Sequence, residues 1–118
     1  MSQAAAQAAL EGDQTCVQTM LKAFKQRHDF VVRELNAMDG VETIESDGTF
    51  YTFPNVQPVI DRMDGIDNDV QFAEYLLNEA GVAVVSGSAF GMEGSMRISF
   101  ATSMENLEKA LARIGSAV

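Results

Sequence analysis

Gly81-Val82-Ala83-Val84-Val85-Ser86-Gly87-Ser88-Ala89-Phe90-Gly91, followed shortly by Met96-Arg97-Ile98-Ser99-Phe100-Ala101, is the stretch around which this chain is organised. Its first half is a short apolar, β-branched run leaving a glycine, which predicts a strand. Gly87 and Gly91 break that strand into a loop. The second half alternates: Met96, Ile98 and Phe100 on one side, Arg97, Ser99 and Ala101 on the other. A guanidinium is thereby placed on a rigid strand just after a glycine-rich loop. Such an arginine suits planar, two-point recognition of a carboxylate. On the alternation alone, the plainer reading, a surface arginine on a half-exposed strand, is the favoured one.

Working outward, 118 residues fit one domain, and 47% apolar with 21% charged residues describe a globular chain. A domain of this size buries roughly two-thirds of its unfolded surface. The net charge of −9 argues against nucleic-acid or anionic-membrane partners, which require a basic face. Cys16 is alone, so no internal disulfide forms. There is no signal-peptide pattern, and no apolar run approaches the ~20 residues of a membrane span. The expectation is a soluble cytoplasmic protein.

Residues 2–11 are rich in helix formers, and Gly12 ends them. This first helix reads as the tail of an element whose beginning is missing. From Asp13, a fair N-cap, Val17, Leu21, Phe24, His28, Val31, Leu35 and Met38 recur at alternating spacings of four and three. They predict one amphipathic helix of roughly 38 Å. That is long for so small a domain. Its N-terminal half either overhangs or packs on something else, and heptad-like pairing is the alternative. His28 reads as a core-edge residue, since no cysteine or second histidine is at hand to complete a metal site.

Asp39-Gly40 stops the helix. Val41–Ile44 and Thr49–Phe53, joined by Ser46-Asp47-Gly48, predict a hairpin or closely spaced strand pair. Pro54 and Pro58 mark the loop that follows. Asn68 with Gln71 fits a capping box opening a helix with Phe72, Leu76 and Leu77 on its apolar face. Thr102-Ser103-Met104-Glu105 matches another, with Glu105 free to reach back. Leu107, Leu111 and Ile114 form the last helix's stripe, which Gly115 is expected to end. The order predicts an α+β fold, with a small mixed or antiparallel sheet of three to four short strands packed against helices and a long N-terminal helix.

Most catalytic signatures are missing: there is no HExxH, CxxC, GxSxG or P-loop. The wording of the organising stretch says more. GVAVVSGSAFGMEGSMRISFATSMENLEKALARI strongly resembles the C-terminal end of class I pyridoxal-phosphate-dependent aminotransferases of the aspartate aminotransferase family. The likeness continues upstream through SDGTFYTFPN and the long helix. It covers nearly the whole chain but only part of the family's protein.

The resemblance implies residues 1–12 as the tail of a missing large domain and 13–118 as the C-terminal small domain, with the long helix running between them. It implies amino-group transfer between an amino acid and a 2-oxo acid. Arg97 matches the strand arginine that binds the substrate α-carboxylate. Gly48-Thr49-Phe50 matches a Gly-x-Phe segment that brings its aromatic residue toward the active-site mouth, although a core role for Phe50 fits its strand as well. Ser86 departs from the proline often found there.

The Schiff-base lysine and the residues that hold pyridoxal 5'-phosphate lie upstream in the family, and none of Lys22, Lys25 and Lys109 matches the lysine motif. The implied partners are the large cofactor-binding domain of the same protein and a second copy of the full-length enzyme, with the cofactor bound there and not by this chain alone. The isolated chain is accordingly expected to be inactive. A stand-alone amino-acid-binding module and an oligomerisation domain built on the long helix are the alternatives; the overlong helix and the first helix without a clear start favour the aminotransferase reading.

Overall fold

A computed structural model describes all of residues 1–118. Five helices and three short strands follow in the order α1 (Ser2–Glu11), α2 (Thr15–Asn36), β1 (Tyr51–Thr52), α3 (Gln57–Ile60), α4 (Asp69–Tyr75), β2 (Val85–Ser86), β3 (Met96–Ser99) and α5 (Met104–Ala117). A π-helical turn, Leu76–Ala80, extends α4 and closes on Gly81 in the left-handed region at φ 65°. The architecture is α+β, as the element order predicts.

The strand β3 sits at the centre of the sheet, antiparallel to both neighbours. Tyr51 lies opposite Ser99 on one side, and Val85 opposite Arg97 on the other. The alternation read from the sequence is realised. Met96 and Phe100 are buried beneath the sheet, in one core cluster with Val31 and Leu35 of α2, Phe72 of α4 and Leu111 of α5. Arg97 is half-buried on the opposite face, and Ser99 is exposed beside it. One face of the strand therefore anchors the core while the other presents its polar side chains.

The expected hairpin is not formed. The pair β1–β3 joins segments far apart in sequence, and residues 41–44 contribute only an isolated bridge, Glu42 to Asn55. The reason is local competition for backbone groups. The Asn36 side chain takes both polar groups of Thr43, accepting from its N–H at 2.7 Å and donating to its carbonyl at 3.0 Å. Ser46 N–H donates instead to His28 Nε2 at 3.3 Å. The segment is thus pinned to α2 and cannot extend a ladder.

The caps follow the sequence in part. Asn68 accepts from Gln71 N–H, but the Gln71 side chain accepts from Asp67 N–H rather than returning to the cap. Ser103 caps α5 by accepting from Asn106 N–H, and Glu105 pairs with Lys109 at 2.6 Å instead of reaching back. Asp13 lies one residue before the cap position, Gln14, and accepts from both the N–H and the hydroxyl of Thr15. The last helix runs through Gly115 to Ala117. An added Cβ at Gly115 would stand 3.4 Å from the Met38 methyl, so this glycine serves close packing on the end of α2 rather than helix termination.

The molecule measures 55 × 25 × 24 Å. The long dimension comes from α1, which buries nothing, and from the N-terminal half of α2. There Val17, Met20 and Leu21 are exposed at 44%, 54% and 60%, whereas Val31, Val32 and Leu35 of the same stripe are buried. The helix overhangs the domain. No helix is long and apolar enough to cross a membrane.

Candidate functional site

The site is built on the loop that delivers β3. Gly87 is buried, its N–H donating to Ser95 O at 2.7 Å and its carbonyl accepting from Met92 N–H at 3.0 Å. An added Cβ would collide with the Met92 carbonyl and lie 2.7 Å from that of Ser95, so the chain can fold back on itself here only with glycine. Residues Gly87–Phe90 form one 3₁₀ turn ending at Gly91, φ 76°. Gly94 O then accepts from Val56 N–H at 2.8 Å, and Ser95 bridges Asn55.

A second fastening comes from Asp69, which is 2% exposed at the first turn of α4. Its carboxylate accepts from Ser88 N–H at 2.7 Å and from the Ser88 hydroxyl at 2.6 Å. Burial pushes this carboxyl's pKa up, but the Ser88 hydroxyl and N–H, with backbone N–H groups of Asp69 and Gly94, outweigh burial and hold it below the ordinary carboxylate value. Because the folded pKa lies below the unfolded one, the stabilisation is present above about pH 4 and is lost as pH falls through the folded value. Asp69→Asn keeps one acceptor but loses the charge, and is expected to cost about 1.5–3 kcal/mol at neutral pH. Melts from neutral to acidic pH check this: the wild type should lose ground below about pH 4 relative to the variant. Parallel profiles for the two proteins would refute the assignment.

Arg97 rises from β3 beside this loop. Its guanidinium carbon lies over the Phe90 ring at 4.4 Å from the centroid and 5.3 Å from that of Tyr51. It takes part in none of the chain's ion pairs. Phe53 meets Phe90 edge-on at 5.6 Å, and Phe50 meets Tyr51 edge-on at 5.5 Å. An aromatic row thus runs Phe50, Tyr51, Arg97, Phe90, Phe53. A guanidinium held over an aromatic ring keeps N–H donors available to an anion. What remains unpaired is a fork of donors shaped for a carboxylate.

Of the two site residues predicted from sequence, Arg97 and Phe50, both lie in this row, with Phe50 half-exposed at its end. Phe50 is therefore not a core residue. Thr49 before it adopts φ 70°, a left-handed conformation unusual for a β-branched residue. Sequence reasoning missed Tyr51, Phe90 and Asp69. The available signal for Phe90 was an aromatic side chain between two turn glycines, where turn chemistry alone asks for none.

His28 lies elsewhere, in a cleft of about 260 Å³ between α2 and residues 45–49. Because Ser46 N–H donates to Nε2, the ring proton sits on Nδ1, 3.1 Å from Asp29. This hydrogen bond, and then Lys25, lower the Asp29 pKa. The histidine is a core-edge residue, stacked edge-on against Phe100.

Residues 1–114 match the family model for aminotransferase class I and II. The chain is 46% identical to an aspartate/prephenate aminotransferase of Nitrosomonas europaea, over 98% of this chain and 30% of that protein. It is 44% identical to an aspartate aminotransferase of Rhizobium meliloti, over 99% and 30% respectively. The crystal structure of the aspartate aminotransferase from Rhizobium meliloti superposes with a TM-score of 0.92 at 43% identity, covering 98% of this chain and 30% of that one. The chain spans about 30% of the length of these relatives. With the match running through both the glycine loop and the arginine strand, the chain belongs to the aminotransferase class I and II family.

Proposed function

We propose that this chain acts as the C-terminal small domain of a full-length aminotransferase, residues 13–118, with residues 1–12 the tail of the large domain. The enzyme transfers an amino group between an amino acid and a 2-oxo acid. Arg97 binds the α-carboxylate of either substrate in the plane of its guanidinium, and Phe50 stands at the mouth of the closed site. The observation that carries this reading is Arg97 itself: a cation on the central strand, flanked by Phe90 and Tyr51, with no anion of its own. Closure of the small domain over the substrate excludes water and strengthens that ion pair. The relatives are named for aspartate, which makes it the amino donor of choice for assay.

Class I aminotransferases in general depend on pyridoxal phosphate. The residues of this chain do not by themselves fit that group. Lys22 is exposed on α2, Lys25 and Lys109 are exposed and paired with Asp29 and Glu105, and the cleft beside Lys25 is lined by Asp29, Glu45 and Asp47, whose charge opposes a phosphate. The cofactor belongs, in this reading, to the large domain of the same protein, which functions as a homodimer. The overhanging apolar half of α2 is consistent with packing against that domain.

The test is a comparison of the full-length protein with the 118-residue chain, each given pyridoxal phosphate, aspartate and 2-oxoglutarate. Full-length protein should turn over and show an aldimine absorbance band. The short chain should show neither. Stoichiometric aldimine and turnover by the short chain alone would overturn the division of labour proposed here.

A further inference from the structure

We propose that Phe90 is the positioning residue for Arg97: its ring fixes the plane in which the guanidinium offers its donors to a carboxylate. The proposal rests on the reading of Arg97 as the carboxylate-binding group. A free arginine has several rotatable bonds, and two parallel hydrogen bonds form only when the fork is held coplanar with the anion. The central strand fixes the root of the side chain but not the orientation of its tip. Phe90 is the nearest group to that tip that can do so, with the guanidinium carbon 4.4 Å from the ring centroid; Tyr51, at 5.3 Å, is the more distant second wall.

The ring is itself held in place. Phe53 packs edge-on to it at 89°, an arrangement that resists rotation about its side-chain bonds. Its backbone sits in the 3₁₀ turn whose second residue, Ser88, is fastened twice to Asp69, and whose ends close through Gly87 and Gly91. Part of the Phe90 surface meets the Arg97 cation, and the ring is 48% exposed in this chain. The loop fastened by Asp69 therefore serves the arginine through the aromatic ring it carries.

The experiment uses the full-length enzyme with Phe90→Leu, which keeps apolar bulk without a π-face, and Phe90→Tyr, which keeps the ring. Arg97→Lys is the reference variant. Binding of maleate, a dicarboxylate with no amino group to transfer, is measured by calorimetry alongside KM and kcat. Phe90→Leu should weaken maleate and raise KM about 3- to 30-fold, with kcat changed less and the melting temperature nearly unmoved. Phe90→Tyr should restore both to within about twofold.

If Phe90→Leu binds maleate normally while Arg97→Lys does not, the positioning role is wrong and the role of Arg97 stands. If Phe90→Tyr falls as far as Phe90→Leu, the effect is not one of ring stacking and the proposal fails. If Arg97→Lys itself binds maleate like the wild type, the underlying reading of the arginine fails first.

Discussion

Gly87→Ala is expected to be the most destabilising single substitution in the loop, at about 2–4 kcal/mol, because overpacking and the loss of a buried hydrogen bond fall on the same residue. The added methyl would strike the Met92 carbonyl and crowd the Ser95 carbonyl, which are backbone and cannot rotate away. Both polar groups of Gly87 are bonded across the same narrow gap, so relief by widening breaks those bonds. In a domain of this size the loss corresponds to a fall in melting temperature of about 8–16 °C.

Two other glycines separate sterics from backbone conformation. Gly91 has open space around it but φ 76°, so Gly91→Ala meets only the left-handed penalty of about 1–2 kcal/mol. Gly48 has neither constraint, and Gly48→Ala should fall within about 0.5 kcal/mol of the wild type. Thermal melts of the three variants should rank in that order. A Gly87→Ala protein that melts with Gly48→Ala would show that the loop is not closed as described.

How much of this was legible in the sequence depends on whether the deciding interaction was local. The alternation of Met96, Arg97, Ile98 and Ser99 is a property of one strand, and it placed Arg97 correctly on the outer face. The stripe of α2 is equally local, and its excess length favoured an overhang over heptad pairing, which the exposed Val17, Met20 and Leu21 match. The hairpin across residues 41–53 failed because the Asn36 amide, on another element, claimed the backbone of Thr43. No pattern within the segment announces that competition. The cap of α5 slipped by one position for a local reason: Ser103 rather than Thr102 reached the helix start, leaving Glu105 in a surface pair with Lys109. Asp69 was invisible as a tether because its partner, Ser88, is nineteen residues away and looks like any loop serine. The proposed role of Arg97 rests on its strand and its family resemblance, whereas the rings of Phe90 and Tyr51 beside it required the fold.

The second large effect falls on activity. In the full-length enzyme Arg97→Lys keeps the charge but presents a single rotating ammonium in place of a planar fork, and it also loses the stacking on Phe90. Losing one charge-assisted hydrogen bond in a closed site costs about 1.5–3 kcal/mol, a drop of roughly 10- to 150-fold in kcat/KM. Arg97→Ala removes both bonds and leaves the substrate carboxylate without a counter-charge. About 2–5 kcal/mol is at stake there, roughly 30- to 4,000-fold, and the loss should exceed that of the lysine variant in the same assay. Stability should change little in either case, because Arg97 is half-exposed, forms no ion pair and belongs to no part of the core.

The measurement that bears most directly on the account is therefore kcat/KM for aspartate in full-length wild type, Arg97→Lys and Arg97→Ala, paired with their melting curves. A graded loss of activity, lysine then alanine, is expected at nearly constant melting temperature. Near-normal kcat/KM in Arg97→Lys would contradict the carboxylate role, and a collapse of melting temperature in both variants would make Arg97 a structural residue of the sheet instead.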